Sequence, residues 1–236
     1  PISEIVKKSS VGNVIGNLWF KKQFSQEVCE YIDLIIQIVA DHGPAVSGGM
    51  NTIITARAGK DLISSLVSGL LTIGPRFGGA IHKSAVDFYD GFKNNLSPKE
   101  FVNKIKSENR YIQGIGHRVK SKDNPDKRVE ILKNFVLSKF KDHKYLDYAL
   151  SIENETLRKK NNLILNVDGT IGASILDVFS NSNFSEKDIK EVLEGDILNG
   201  FFVLGRAIGF IGHYNDQIRL KQGLFRFDTN DISYLN

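Results

Sequence analysis

Three short stretches of this sequence set an ionisable side chain beside glycine, and each could do acid–base or anion-binding chemistry. The first is Asp41-His42-Gly43-Pro44, an imidazole after a carboxylate at a chain break. A long helical pattern follows it and ends at Gly74-Pro75-Arg76-Phe77-Gly78-Gly79, which reads as a tight, substrate-facing turn. The second is Gly114-Ile115-Gly116-His117-Arg118-Val119-Lys120. Its glycines would let backbone N–H groups approach a ligand while an imidazole and a guanidinium stand beside it. A dinucleotide fingerprint is rejected, because the third glycine and the strand–turn–helix context are missing; a surface turn with a stray histidine stays open. The third is Asn166-Val167-Asp168-Gly169, a carboxylate after the apolar Leu163–Leu165. Apolar surroundings raise a carboxyl pKa and make it a usable acid or base near neutrality. The alternative is an Asx turn opening a helix.

His42 reads either as an acid–base or hydrogen-bonding group, or as a helix C-terminal histidine on the dipole. Arg206 interrupts an apolar run; a buried arginine needs an anion, and a carboxylate ligand fits as well as a protein one. Arg128 and Arg226 sit near turns and read as solvated, while His82 and His143, with lysine neighbours, read as surface positions. No Cys/His spacing suggests zinc, so no metal site is expected, and neither a GxSxG elbow nor a GxxxxGK[ST] loop occurs. These residues alone reach no further than an enzyme for an anionic substrate.

Helices must position them. Val28, Ile32, Ile35, Ile36 and Val39 fall at helical spacing up to the Gly43-Pro44 breaker. Asp61 is placed to cap a helix with Leu62, Ile63, Leu66, Val67 and Leu70 on its apolar face and Ser64, Ser65, Ser68 and Gly69 on the other, where a second helix could approach. Ser97-Pro98-Lys99-Glu100 is a capping box, Val129–Phe140 is amphipathic, and Ser185 with Asp188 opens another helix. The run near Ile197–Leu220 is apolar on most sides and carries Gly205, Gly209 and Gly212, a helix-weakening choice that implies close packing or a ligand against the backbone. Strand signals are confined to a short extended piece at Leu163–Val167. The expected fold is all-α.

The 236 residues can bury a sizeable core, and 41% hydrophobic with 25% charged residues is ordinary for a globular chain. A net charge of +4 with scattered lysines favours anionic ligands and gives no nucleic-acid footprint. The single Cys29 fits a reducing compartment, and no apolar run has membrane-spanning length, so a cytoplasmic protein without membrane contact is expected. The chain opens on Pro1, as a fragment of a longer one would.

In their order these motifs resemble the citrate synthase superfamily, and most closely its lyase branch, the citrate-synthase-homology region of ATP-citrate lyases and the free-standing citryl-CoA lyases. The resemblance is carried by ADHGPAVSGGMNTIITARAGKDL from Ala40, SGLLTIGPRFGGA, FVNKIK, GIGHRVKS, NPDKRV, NLILNVDG, GFFVLGRAIGFIGHY, RLKQGLFR and DISY, over essentially the whole chain. It implies a large helical domain of about residues 1–105 and 195–236 and a smaller one of about 106–194. It also implies homo-oligomers, dimers or tetramers, with active sites shared between subunits. By position, Asp168 matches the family's catalytic aspartate, and His42 and His117 match histidines that hold and polarise the oxygens of the four-carbon acid. Arg206 and Arg226 match carboxylate-binding arginines, the latter reaching a neighbouring subunit. Arg128 is similar to a citrate-binding arginine of the lyase branch, which citrate synthases place two residues earlier, where this chain has Asp126. Gly114, Ile115, Gly116, Arg118, Lys106, Lys159 and Lys160 would meet coenzyme A.

One departure selects the branch. Citrate synthases carry a histidine in GPLHG that helps enolise acetyl-CoA; here that position is Phe77. A phenyl ring donates no hydrogen bond, and losing one such donor costs about 3 kcal/mol of transition-state stabilisation. The expected reaction is therefore cleavage of citryl-CoA to acetyl-CoA and oxaloacetate without a metal, a histidine of the His42/His117 pair taking the hydroxyl proton and Asp168 protonating the enolate. The chain would act alone or beside a citryl-CoA synthetase part. A citrate synthase, and a non-catalytic oligomerisation module of a larger enzyme, are the alternatives.

Overall fold

The computed structural model describes residues 10–74 and 77–233. Pro75 and Arg76 of the glycine-flanked turn, and Tyr234 of the DISY run, lie outside them. Ser10 caps α1 (Val11–Ile15), which widens into a π-helical turn over Gly16–Phe20. Ser25 caps α2 (Gln26–Val39), whose Val28, Ile32, Ile35, Ile36 and Val39 are buried at the expected spacing.

α3 (Ser47–Arg57) and α4 (Leu62–Leu70) form a close pair, with Asp61 accepting the Ser64 N–H as the cap. On α4 a second helix does approach the small-residue face, and the apolar face is left outward. Ser65 and Gly69 are buried, while Ile63 is 72% and Val67 46% exposed. The cause is distance: a Cβ on Gly69 would stand 2.9 Å from the Gly48 carbonyl oxygen, so only the small-residue face can meet α3.

α5 (Ala80–Lys93) crosses α9 (Val167–Ser180) in the most intimate contact of the fold. At Gly172 a Cβ would lie 2.7 Å from the Ile81 carbonyl oxygen. α9 is buried on all sides from Gly169 to Phe179. Around this pair stand α6 (Pro98–Ser107, opened by its Ser97/Glu100 capping box), α7 (Lys127–Lys139), α8 (Lys144–Leu157) and α10 (Glu186–Glu194, capped reciprocally by Ser185 and Asp188). The N-terminus of α8 is held from α9: Asp177, fully buried, accepts the Tyr145 and Leu146 N–H groups at 2.9 and 2.8 Å. One apolar core joins α2, α5, α6, α8 and α9 with Phe201 and Phe202 of α11 (Asn199–Leu220). Along α11, Gly205 and Gly209 face the end of α2 at distances that leave no room for a side chain, whereas Gly212 meets nothing. Ile208 and Ile218 of the same helix are each 55% exposed, so its outer side is uncovered in one chain. Among the described residues there is no β-strand longer than a bridge. The extended piece at Leu165 makes a single antiparallel bridge to Ile115. No single helix among them is long and apolar enough to cross a membrane.

Candidate active site

A cleft of about 250 Å³ opens between the α2–α3 loop, the Phe77 turn, α9 and α11, and it gathers His42, His117, Asp168, Arg128 and Arg206. Five side chains spread over more than 160 positions of sequence therefore share one wall.

The loop at residues 114–117 is zipped onto the strand-like piece before α9. Gly116 donates its N–H to the Ile164 carbonyl at 2.7 Å, His117 to Asn162 at 3.0 Å, and Asn166 to Gly114 at 2.9 Å. The glycines serve this seam. Gly114 has φ +82° and a Cβ there would meet the Gly169 Cα at 2.4 Å. Their backbone is thus committed within the chain, and the expected approach of the Gly116 N–H to a ligand is corrected: that donor is already used.

The seam sets His117 into the cleft that Asp168 also lines. His117 Nδ1 accepts the backbone N–H groups of Val119 and Lys120 at 3.0 and 2.8 Å. Only a neutral ring carrying its proton on Nε2 can do so, which leaves Nε2–H as a donor. Burial, with Arg128 and Lys120 nearby, holds its pKa below the ordinary imidazole value against the opposing pull of Asp126. His42, at the cleft mouth, is lowered by burial and then by Arg128, whose Nη1 lies 3.3 Å from His42 Nδ1. A guanidinium can only donate, so this ring also keeps its proton on Nε2. Asp41 does not pair with its neighbour His42; it pairs with His213 at 2.9 Å.

Asp168 is the second residue of α9. The capping belongs to Asn166, whose side chain accepts the Gly169 N–H at 3.0 Å, and the Asp168 carboxylate makes no hydrogen bond to a described residue. Burial raises its pKa to about 6, against the pull of Arg206 and Arg128.

Arg128 is not simply solvated, as its turn position implied. Asp126, 5% exposed, caps α7 and grips Arg128 through Nη2 at 2.7 Å and Nε at 3.0 Å. The forked pair leaves Nη1 turned to the cleft. Arg206 is buried at 4% exposure, and its Nε and Nη1 have no hydrogen-bond partner among the described residues. Its guanidinium lies 4.7 Å from the Phe202 ring centroid and 5.7 Å from that of Phe77. Phe77 stands edge-on to Phe202, an aromatic wall where a hydrogen-bond donor would otherwise be.

Arg226 does not join this cleft. It is exposed on the tail beyond α11, near where Arg57 holds the Gly223 carbonyl. A second cleft of about 190 Å³ brings together Lys106, Lys159 and Ile115, with Arg110 and Tyr111, which the sequence reading passed over. Arg118 and Lys160 are exposed, and neither they nor Gly114 and Gly116 line it. His82 is a correction: its side chain is only 12% exposed, on the first turn of α5, with its backbone N–H given to Asn199. His143 has the expected exposure and holds Asp147 at 2.7 Å. His213 and Asp126 were missed as site-shaping residues. The signal for His213 is its seven-residue spacing from Arg206, two turns along one helix face.

The citrate synthase C-terminal domain family matches residues 1–228 of this chain. The chain is 54% identical over 237 residues to the human ATP-citrate synthase, covering 100% of this chain and 22% of that protein. It is 53% identical over 236 residues to a probable ATP-citrate synthase of Dictyostelium discoideum, covering 99% and 38%. The fold superposes with a TM-score of 0.95, at 50% identity, on an ATP citrate lyase mutant from Methanosaeta concilii in complex with (3S)-citryl-CoA, covering 100% of this chain and 38% of that one. Citryl-CoA lyase from Hydrogenobacter thermophilus shares the fold, with a TM-score of 0.83 at 23% identity and coverage of 100% and 87%. The chain therefore spans well under half the length of its ATP-citrate synthase relatives. It belongs to the citrate synthase family.

Proposed function

We propose that this chain cleaves citryl-CoA to acetyl-CoA and oxaloacetate, as the lyase module of an ATP-citrate lyase. The observation that carries the reading is Arg206, buried in one cleft with Arg128 and Asp168, with two nitrogens that find no hydrogen-bond partner among the described residues. A buried guanidinium without a partner is costly unless an anion completes it. Forked, charge-assisted bonds from Arg206 and Arg128 suit the carboxylates of a citryl group.

The proton inventory then orders the steps. Both histidines present Nε2–H, so they stabilise negative charge on the citryl hydroxyl oxygen and neither has a free nitrogen aimed at its proton. The hydroxyl proton passes in this proposal to the ionised Asp168, and the electrons of the O–H bond form the oxaloacetate carbonyl. The C–C bond breaks, its pair goes to the thioester enolate, and Asp168 returns the same proton to that carbon. One proton leaves oxygen and one arrives at carbon, so the cycle closes without a co-reactant. A carboxyl with a pKa about 6 suits both transfers near neutrality.

The second cleft, with Lys106 and Lys159 at its rim, lies on the other side of the 114–117 loop and fits the remote part of a coenzyme A thioester. Arg226 belongs in this proposal to the cleft of a second copy, and the uncovered faces of α4 and α11 provide a surface for that copy. The rest of the relatives' length would supply citryl-CoA.

The test offers the purified chain citryl-CoA and follows oxaloacetate with a coupled dehydrogenase, while acetyl-CoA plus oxaloacetate is assayed for thiol release. Rapid oxaloacetate with little condensation supports the lyase. Rapid net citrate formation favours a synthase, a reading that Phe77 in the cleft wall opposes. Silence in both, with no binding of the thioester, points to the oligomerisation module.

A further inference from the structure

The structure assigns a positioning residue outside the cleft: His213, acting through Asp41, fixes the loop that presents His42. The assignment rests on the cleavage reading above, in which His42 donates to the substrate oxygen.

His42 sits on the connection between α2 and α3, a stretch with little packing of its own. Asp41, His42, Pro44 and Ala45 are exposed, and Gly43, at φ +82°, has open space where a Cβ would stand, its carbonyl lying against Gly49 of α3. Besides the Arg128 contact to the His42 ring, the Asp41 side chain ties the loop down. Asp41 Oδ1 accepts the Gly43 N–H at 3.0 Å and the His213 Nε2–H at 2.9 Å, on either side of His42. Burial alone would raise the Asp41 pKa, but these two donors bring it below the ordinary carboxylate value, so it stays an ionised acceptor. His213 itself is well anchored, its side chain 13% exposed.

The anchor is part of a helix face. Gly205, Gly209 and His213 recur every four residues along α11, and Arg206 is displaced from them by one position. A Cβ on Gly209 would stand 2.0 Å from the Ala40 carbonyl oxygen, and one on Gly205 would stand 2.5 Å from Val39 Cγ2. The helix therefore presses on the end of α2 at two glycines and clasps the next residue, Asp41, with a histidine. The same rigid element that buries Arg206 sets the position of the His42 loop. Because Asp41 is engaged by His213, it does not capture the ring of His42, which remains free to face Arg128 and a substrate.

The experiment compares His213→Leu, His213→Gln, Asp41→Asn and the His213→Leu/Asp41→Asn double variant. Leucine removes the donor, whereas glutamine keeps an N–H at similar reach. A misplacement of this size in a donor is expected to lower kcat about 10-fold or more, with coenzyme A affinity within about 2-fold of the parent. Glutamine should restore most of the rate, and the double variant should be no slower than the slower single, since both act through one contact. Full activity in His213→Leu, equal slowing by glutamine and leucine, or losses that multiply would each overturn the assignment. Amide hydrogen exchange over residues 41–46 of the substrate-free protein is measured alongside. It should quicken with leucine and recover with glutamine, and no change with leucine counts against the tether. If the parent chain does not turn over citryl-CoA, the cleavage reading fails, while the exchange result still decides whether His213 holds the loop.

Discussion

Asp168 has the environment of a group kept in reserve. It stands at a helix N-terminus, yet the capping is done by Asn166, so the carboxylate is neither neutralised nor hydrogen-bonded by its own helix. Burial lifts its pKa to about 6, and two arginines limit the rise. The sign of the consequence differs for activity and stability. As base for the hydroxyl proton it must be ionised, so kcat/KM should fall by one proton's slope as pH drops through about 6. A folded-state pKa above the unfolded value of 3.8 means that the folded chain binds the extra proton. This group's contribution to stability is therefore fully favourable below 3.8 and is lost as pH rises through about 6. Asp168→Asn separates the two effects. Turnover should drop by about three orders of magnitude, while the midpoint of urea unfolding at pH 8 should rise by the equivalent of about 1–2 kcal/mol, the open cleft reducing the full linkage value. Unchanged turnover in that variant would remove Asp168 from the mechanism. Equal unfolding midpoints at pH 8 would show that its burial is cheaper than its pKa implies.

Elements carry these side chains with different degrees of legibility. Asp61, Ser97 and Ser185 announce their helices because capping is local: a side-chain oxygen and an N–H three residues on decide it. Asp168 was legible for a similar reason, an apolar run followed by a carboxylate. On α4 the small-residue face was legible as the side a second helix could approach, but the outward position of its apolar residues was not, because hydrophobicity alone does not report backbone separation. There Ser65 and Gly69 face α3, and Ile63 and Val67 are left outside. Asp41 misled in another way, since adjacency in sequence pointed its carboxylate at His42 while the fold brings His213 across from 172 positions away. The two glycines of the 114–117 seam were noticed but given to a ligand. Gly114 lies against Gly169, whose Cβ would stand 2.3 Å from the Gly114 carbonyl oxygen, while Gly116 is needed for its φ of +104°. Backbone cannot yield as a flexible side chain can. Gly169→Ala should therefore cost about 1–3 kcal/mol of stability, read as a lower Tm, and slow turnover further by moving His117 away from Asp168. Gly212→Ala on α11, which meets nothing, is the control and should be neutral or stabilising by about 1 kcal/mol.

The whole molecule leaves Arg226, a predicted carboxylate-binding residue, outside its own chain's cleft. Arg226 lies on an exposed tail, while the cleft already holds Arg128 and Arg206. A citryl group has three carboxyl positions, one of them the thioester, so two arginines in one chain already cover the free carboxylates. A third cation has a use only if one carboxylate is gripped from both sides or if a neighbouring chain delivers it. The uncovered apolar side of α4 and the outer side of α11 favour the second arrangement, since contiguous exposed apolar surface of this kind marks an interaction site. Complementation decides it. Arg226→Ala and Asp168→Asn variants are each expected to be nearly inactive when expressed alone. If Arg226 acts across a two-fold interface, a mixed pair has one site lacking both groups and one site with both intact. Co-expression at equal levels should then recover about a quarter of the parent activity, because half of the pairs are mixed and each has one working site. If Arg226 acts within its own chain, every site in the mixture lacks one group and nothing is recovered. The same samples, examined by light scattering, test the premise: a chain that stays monomeric at micromolar concentration offers no neighbouring cleft, and the cross-subunit role of Arg226 falls with it.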